Sequence, residues 1–313
     1  MMRNNNKIAI IIPYFGKFPD WIDLYLFSCS KNPFVDFLFF TDCEIPSKTY
    51  SNTFFYNYNY KDYCERISQT LNVKFYPKNA YKLCDVRPFY GILHKKELED
   101  YQYWGYGDID LIYGDLALLL NEKNLGKYEL ITTHADRIAG HFTVIKKDSN
   151  FSTLCYKIEN WKSKLEDERG LGVDEHDFTW LVHPFQKHIW RFHRILSKII
   201  QIHPYNFFKV FNNITNLFTD YSIKEYYTTP LPENGESWIY DIKKNRIINP
   251  DSIEIPYLHF LFFKKTPFRK TDNYWREDFY HIDNEFVKNN GFIIINNHNI
   301  MYKDEYNSDS VCV

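Results

Sequence analysis

The stretch Tyr103–Leu116, "YWGYGDIDLIYGDL", carries the reading on which the fold turns. It is apolar and aromatic like a buried strand, yet Asp108 and Asp110 stand one residue apart and Asp115 follows. Aspartate is depleted in strands, and burying an unpaired carboxylate is costly. Acids are tolerated where a strand ends, at the edge of an open α/β sheet where loops gather into a ligand crevice. In extended backbone, residues i and i+2 point the same way, so Asp108 and Asp110 are expected on one face. Two carboxylates aimed together suit a hard divalent cation, Mg²⁺ or Mn²⁺, which completes its shell with water and substrate phosphates. Gly105 and Gly107 are expected to let a bulky ligand approach the backbone. The competing reading is structural, with the acids capping turns or pairing with basic residues at an exposed strand end. Asp115, after Gly114, reads as a cap for the helix "LALLLNEKN" (116–124).

Outward from this segment the pattern alternates strand and helix. "KIAIIIPYF" (7–15) reads as a fully buried strand of a parallel sheet, not as a signal peptide. "FPDWIDLYLFSCSKN" (18–32) has helical spacing, and "DFLFFTD" (36–42) is a second buried strand ending on an acid. "NVKFYPK" (72–78) reads as a third strand, and residues 79–101 as helical on both sides of Pro88. "YELITTH" (128–134), "GHFTVIKK" (140–147) and "GFIIINN" (291–297) read as strands, and residues 152–168 as a helix. This alternation predicts an α/β fold with a mixed, mostly parallel sheet flanked by helices.

Composition bounds the function. A 44% hydrophobic and 25% charged chain of 313 residues is globular, and a net charge of −2 argues against a nucleic-acid partner. Six cysteines without CxxC or zinc-like spacing read as reduced thiols of a cytoplasmic protein. The 19% aromatic content fits a sugar-binding enzyme without singling one out. Residues 178–219 contain no Asp or Glu but carry Lys187, Arg191, Arg194, Lys198 and Lys209 among aromatic residues. Two readings stand for this segment. Either it contacts an anionic inner-membrane surface or a lipid-linked acceptor, or it is a helical hairpin with its basic side in water.

The segment at 103–116 resembles the D-x-D segment of nucleotide-sugar-dependent glycosyltransferases of GT-A (Rossmann-like) fold, and more closely bacterial capsule and lipopolysaccharide glycosyltransferases. "IAIIIPYFGKFPDWIDLYLFSC", "DFLFFTD" and "YKLCDVRPFYG" (81–91) fit the same order over about the first 180 residues. The resemblance implies a nucleotide-sugar donor, a UDP-sugar by preference, and Mn²⁺ or Mg²⁺ as the metal. It implies that Pro13, Tyr14 and Asp42 line the nucleoside pocket, and that Lys82, Asp85 and Arg87 lie near donor phosphate and sugar. For these three the bland readings are a solvated face, a helix cap and a surface pair with Asp85.

"YLHFLFFKKTPF" (257–268) resembles the H-x-G-x-x-K-P motif of glycogenin-like and lipopolysaccharide galactosyltransferases. There the histidine is a metal ligand and the lysine contacts the diphosphate, which points to His259 as third ligand beside Asp108 and Asp110. Leu261 stands where that motif has glycine, so the phosphate role passes to Lys264 and Lys265 together. The bland reading of His259 is a core histidine with a backbone partner.

An inverting transferase also needs a general base for the acceptor hydroxyl. "GVDEHDF" (172–178) offers Asp174, Glu175 and Asp177, which read equally as acids at a helix N-terminus. By resemblance, His134, Asp136 and Arg137 reach the acceptor side; the alternative is a turn held by Asp136 and Arg137. The expected organisation is a nucleotide-sugar-binding core over 1–180, a basic aromatic helical insertion over 181–220, and a C-terminal part, 221–313, completing core and acceptor side. The acceptor is expected to be a growing surface polysaccharide or lipid-linked glycan. Two other readings stand beside this one: a sugar nucleotidyltransferase-like enzyme, and a non-catalytic carbohydrate-binding protein of the same fold. Against the former, "PYFGKFPDW" offers only Gly16 and Lys17 for a phosphate loop.

Overall fold

In the computed structural model, residues 8–184, 214–233, 235–266, 274–282 and 290–305 are described. The apolar run at the start forms β1 (Ile8–Pro13), and its residues are buried alternately on two faces. Ala9 and Ile11 face one core while Ile8, Ile10 and Ile12 face the other. A strand covered on both sides needs a continuous apolar sequence, which is why no polar alternation marks it. After the turn, α1 (Ile22–Ser30) leads to β2 (Val35–Thr41), which lies parallel to β1. Helix α1 is buried almost all round. Tyr25 and Leu26 pack on the sheet, and Leu24 and Phe27 enter a third core beneath a second sheet.

Next come β3 (Thr53–Asn57) and α2 (Tyr60–Leu71), neither of which stands out in the sequence. Helix α2 is bounded by its own caps. Asn59 accepts from the Asp62 amide at 2.8 Å, and Asn72 closes the other end in the left-handed region at φ 51°. The expected strand at 72–78 is absent. Its residues alternate between buried and exposed like a strand, but the segment runs against α2 without a partner strand. Its amides find other acceptors: that of Phe75 donates to Ser68 Oγ and that of Lys74 to the Glu166 carboxylate.

Residues 80–89 form a 3₁₀ helix with Pro88 inside it, continued by α3 (Tyr90–Leu93); the helical reading of 79–101 holds as far as Leu93, and residues 94–100 are turns. Two short strands follow, β4 (Tyr103–Gly107) and β5 (Leu111–Tyr113), then α4 (Glu122–Lys127), β6 (Leu130–Thr132) and β7 (Phe142–Lys146). The single helix expected at 152–168 is a 3₁₀ helix, Asn150–Lys157, and a separate α5 (Trp161–Glu166), broken at Asn160 with φ 54°. A π-helical turn, Val173–Asp177, runs into α6 (Phe178–Val182). Most of the basic segment at 178–219 lies outside the described residues.

Strand β8 (Tyr221–Ile223) returns to the main sheet, whose order is β3-β2-β1-β4-β7-β6-β8. All its neighbouring pairs are parallel except those made by β7, which lies antiparallel to β4 and β6. The sheet is therefore mixed and mostly parallel. The remaining strands are β9 (Ser237–Asp241), β10 (Arg246–Ile248), β11 (Glu254–Ile255), β12 (Tyr257–His259), β13 (Tyr280–His281), β14 (Phe292–Asn296) and β15 (Ile300–Lys303). All but β12 build a second sheet ordered β11-β10-β9-β14-β15-β13, and β12 instead pairs with β5. Among the described residues no helix is long and apolar enough to cross a membrane.

Gly105 and Gly107 serve packing in this arrangement, not ligand approach. A Cβ on Gly105 would fall 2.4 Å from the Thr143 carbonyl, and one on Gly107 would fall 2.9 Å from the Tyr113 hydroxyl. The glycines let β4 lie flush between β1 and β7.

Candidate metal centre

Strands β1, β2 and β4 run the same way, so Pro13, Thr41 and Gly107 all end at one edge of the sheet. Asp108 is the first residue beyond it, its amide donating to the His141 carbonyl at 3.0 Å. The chain then bends through Ile109 and Asp110 before entering β5 at Leu111. The two acids therefore sit on a bend between strands, not at i and i+2 of one extended strand. The bend still brings them together.

The third member arrives from far along the chain. Strand β12 pairs antiparallel with β5 in the register Leu111↔His259, and the Phe260 amide donates to the Asp110 carbonyl at 3.2 Å. Asp108, Asp110 and His259 each offer an atom, and these all lie within 4.8 Å of one another. Asp110 and His259 are buried, while the Asp108 side chain is 28% exposed and opens the cluster to solvent. His259 Nε2 is buried without a hydrogen bond, and lies 3.4 Å from Asp110 Oδ1. An orphaned imidazole nitrogen facing two carboxylates is a donor set that fits a divalent cation, Mn²⁺ better than Mg²⁺ because of the nitrogen.

Cations of the chain brace both acids. Lys264 Nζ donates to Asp110 Oδ2 at 2.6 Å, and Arg87 bonds Asp108 with one arm and Asp174 Oδ2, at 2.8 Å, with the other. Burial disfavours ionisation of Asp110, but Lys264 and His259 outweigh it and hold the carboxyl well below the usual range. Asp108 is pushed up, by burial first and by the Asp110 charge, against the pull of Arg87. Asp174 is pushed up to about 7, chiefly by burial, with Glu175 adding to it and Arg87 opposing. Gly140 closes this corner: a Cβ there would lie 2.7 Å from Asp174 Oδ2 and 2.8 Å from an Arg87 nitrogen.

The other candidates separate by position. Tyr14 is half-buried, stacks on Phe18, and feels the Asp110 charge, so it stands beside the cluster. Asp42 accepts from the Gly16 amide at 2.7 Å, which ties together the loops after β1 and β2. Lys265 is exposed. Lys82 is not on a solvated face. It is 1% exposed, and its ammonium donates to Asp85 Oδ2 and to the carbonyls of Lys164 and Arg169, at 2.6–2.8 Å. Asp85 also accepts from the amides of Leu171 and Val173, both at 2.9 Å, so this buried pair anchors the segment that carries Asp174. Arg87 pairs with Asp108 and Asp174, not with Asp85.

Among the three acids at 174–177, Asp177 is held by Lys164 at 2.7 Å. Glu175 is 34% exposed, accepts from the Gly140 amide at 3.2 Å and lies 3.4 Å from Arg137 Nε. Arg137 also pairs with Asp136 at 3.0 Å, the turn that the bland reading describes. His134 sits 3.8 Å from Glu225 and edge-on to His141. Asp115 caps the turn after β5 by accepting from the Ala117 amide at 2.9 Å. Pro267, the proline that follows the two lysines in the 257–268 segment, lies outside the described residues.

Several neighbours of the cluster escape a sequence reading. His141 stacks on His259 at 4.1 Å between ring centroids, and its Nε2 meets the Tyr257 hydroxyl at 2.9 Å. Thr229 Oγ1 lies 3.0 Å from His259 Nδ1. Neither His141 nor Thr229 sits in a motif. The alternation of "PYLHF" does hint at Tyr257 and His259 sharing a face of β12.

A family of unknown function (DUF6625) matches residues 10–290, and the chain belongs to that family. No curated protein matches it.

Proposed function

We propose that this family member is a metal-dependent glycosyltransferase of GT-A type, transferring a sugar from a nucleotide-sugar donor, by preference a UDP-sugar, to a glycan or lipid-linked glycan. One observation carries the reading. Two carboxylates and an orphaned imidazole, about 150 residues apart in the chain, converge at the edge where β1, β2 and β4 end. In an open α/β sheet that edge is where ligands bind. The mixed sheet with its single antiparallel strand β7 supports the same fold type.

Asp108, Asp110 and His259 would hold the cation, which when bound neutralises charge on a diphosphate leaving group. Tyr14 and Asp42, on the loops after β1 and β2, flank the same edge and would line the nucleoside side. Lys264 sets its ammonium against Asp110, and exposed Lys265 follows it in the chain; the pair would meet a diphosphate lying there. Arg87 holds Asp108 and Asp174 in fixed relation. If transfer inverts the anomeric centre, Glu175 is the best placed of the three acids to accept the hydroxyl proton, since it is the most exposed of them and its contact with Arg137 is long, while Asp174 is buried against Arg87 and Asp177 is held by Lys164. Retention needs no such base.

The test is a thermal-shift screen of nucleoside diphosphates and nucleotide sugars with and without Mn²⁺. Binding to the folded state alone raises stability by RT ln(1 + [L]/Kd), so a ligand at 100 Kd adds about 2.7 kcal/mol. Stabilisation by a nucleotide sugar only when Mn²⁺ is present supports the proposal. No shift with any combination sinks it.

A further inference from the structure

His259 has two nitrogens with different surroundings. Nε2 is buried, has no hydrogen bond and lies 3.4 Å from Asp110 Oδ1. Nδ1 is 3.0 Å from Thr229 Oγ1. The ring is clamped in between, because β12 pairs with β5 on one side and the His141 ring stacks on it at an interplanar angle of 21°. A neutral imidazole has one donor and one acceptor nitrogen, so whatever bonds Nδ1 decides what Nε2 can do.

We propose that Thr229 is a positioning residue for the metal: its hydroxyl accepts the Nδ1 proton of His259 and so presents the Nε2 lone pair to a cation beside Asp108 and Asp110. The inference rests on the metal reading above and adds a residue outside every motif of the chain. A hydroxyl suits the position for a specific reason. It can accept from Nδ1–H without bringing charge, which leaves the Nε2 lone pair to the cation. A carboxylate could also accept, but would add a negative charge to a buried cluster that already has two. Thr229 is also 3.5 Å from His141 Nε2, whose better partner is the Tyr257 hydroxyl at 2.9 Å. That hydroxyl in turn meets Thr133 Oγ1 at 2.5 Å. His141 is therefore satisfied without Thr229, which leaves the threonine hydroxyl to His259.

The experiment compares wild type, Thr229→Val and Thr229→Ser. Mn²⁺ affinity is read by isothermal titration calorimetry, and the His259 ring protonation site by two-bond ¹H–¹⁵N correlation in the metal-free protein, where no bound ion fixes the tautomer. Loss of a partner that orients a ligating histidine typically costs 10–100-fold in metal affinity. The valine variant is expected to bind Mn²⁺ that much more weakly and to show a mixture of ring tautomers. The serine variant is expected to restore both readouts. Valine keeps the shape of threonine, and a purely packing role would leave the tautomer unchanged. Wild-type affinity in the valine variant, or failure of serine to restore it, overturns the role of Thr229 while leaving the metal centre standing. Absence of Mn²⁺ binding by folded wild type removes the metal centre itself, and this role with it.

Discussion

Lys264 Nζ lies 2.6 Å from Asp110 Oδ2, so the deepest acid of the centre is neutralised by a cation from the same chain. On the proposed metal reading, an incoming cation would compete with that ammonium. Lys264→Met is therefore expected to tighten Mn²⁺ binding by calorimetry and to weaken nucleoside diphosphate binding in the presence of the metal. A lysine that served only to stabilise the fold would weaken both together.

Asp110→Asn removes one of the proposed ligands but keeps the shape. Mn²⁺-dependent hydrolysis or transfer from a nucleotide sugar is expected to vanish, with the melting temperature within a few degrees of wild type, because Lys264 is partly exposed and can turn to water. Full activity of that variant, or of wild type in excess EDTA, would show that the cluster holds no working metal.

Asp174 links stability to pH. Its carboxyl is raised from an ordinary 3.8 to about 7, so the native state holds the proton more tightly than the unfolded chain. The stability it contributes is complete below about 3.8 and is lost as pH rises through 7. Each unit corresponds to about 1.4 kcal/mol, so the change amounts to a few kcal/mol. Denaturant unfolding of wild type is expected to show stability falling between pH 4 and 7, and Asp174→Asn to flatten that fall. An identical slope in the two proteins would refute the assignment.

The Lys82–Asp85 pair makes the opposite sort of prediction. Both side chains are 1% exposed, and the lysine holds two backbone carbonyls besides its partner. Removing one member of a buried pair typically costs about 3–5 kcal/mol. Lys82→Ala is expected to lower the melting temperature by roughly 10 °C and to loosen the 171–177 segment towards hydrogen exchange. A melting point unchanged by the substitution would mean that the pair does not anchor that segment.

The parts of the fold that are plain in the sequence are those where burial alone dictates the pattern. The apolar runs of β1, β2, β7 and β14 can only be covered strands. Residues 72–78 show where the rule fails: Val73 and Phe75 are buried and Lys74 and Tyr76 are not, yet Ser68 and Glu166 replace a partner strand. Period-2 burial records an extended chain on an apolar surface, and only a neighbouring strand makes it a ladder. At the centre, the D-x-D spacing singles out Asp108 and Asp110. Thr229 and His141 are beyond such reading, because contacts created by β12 crossing to β5 leave no local signature. The burial of Lys82 is hidden for the same reason, since its acceptors come from Lys164 and Arg169.

The pairing of β12 with β5 also sets an order of events. During synthesis at about 5–20 residues per second, Asp108 and Asp110 emerge long before His259 and Lys264. For an interval on the order of ten seconds the nascent chain holds two close carboxylates without the imidazole and ammonium that complete the cluster. The cluster can thus be completed only once the chain has passed residue 264, and a chain cut short before residue 259 would have its acids but neither the imidazole nor the ammonium that close the site around them.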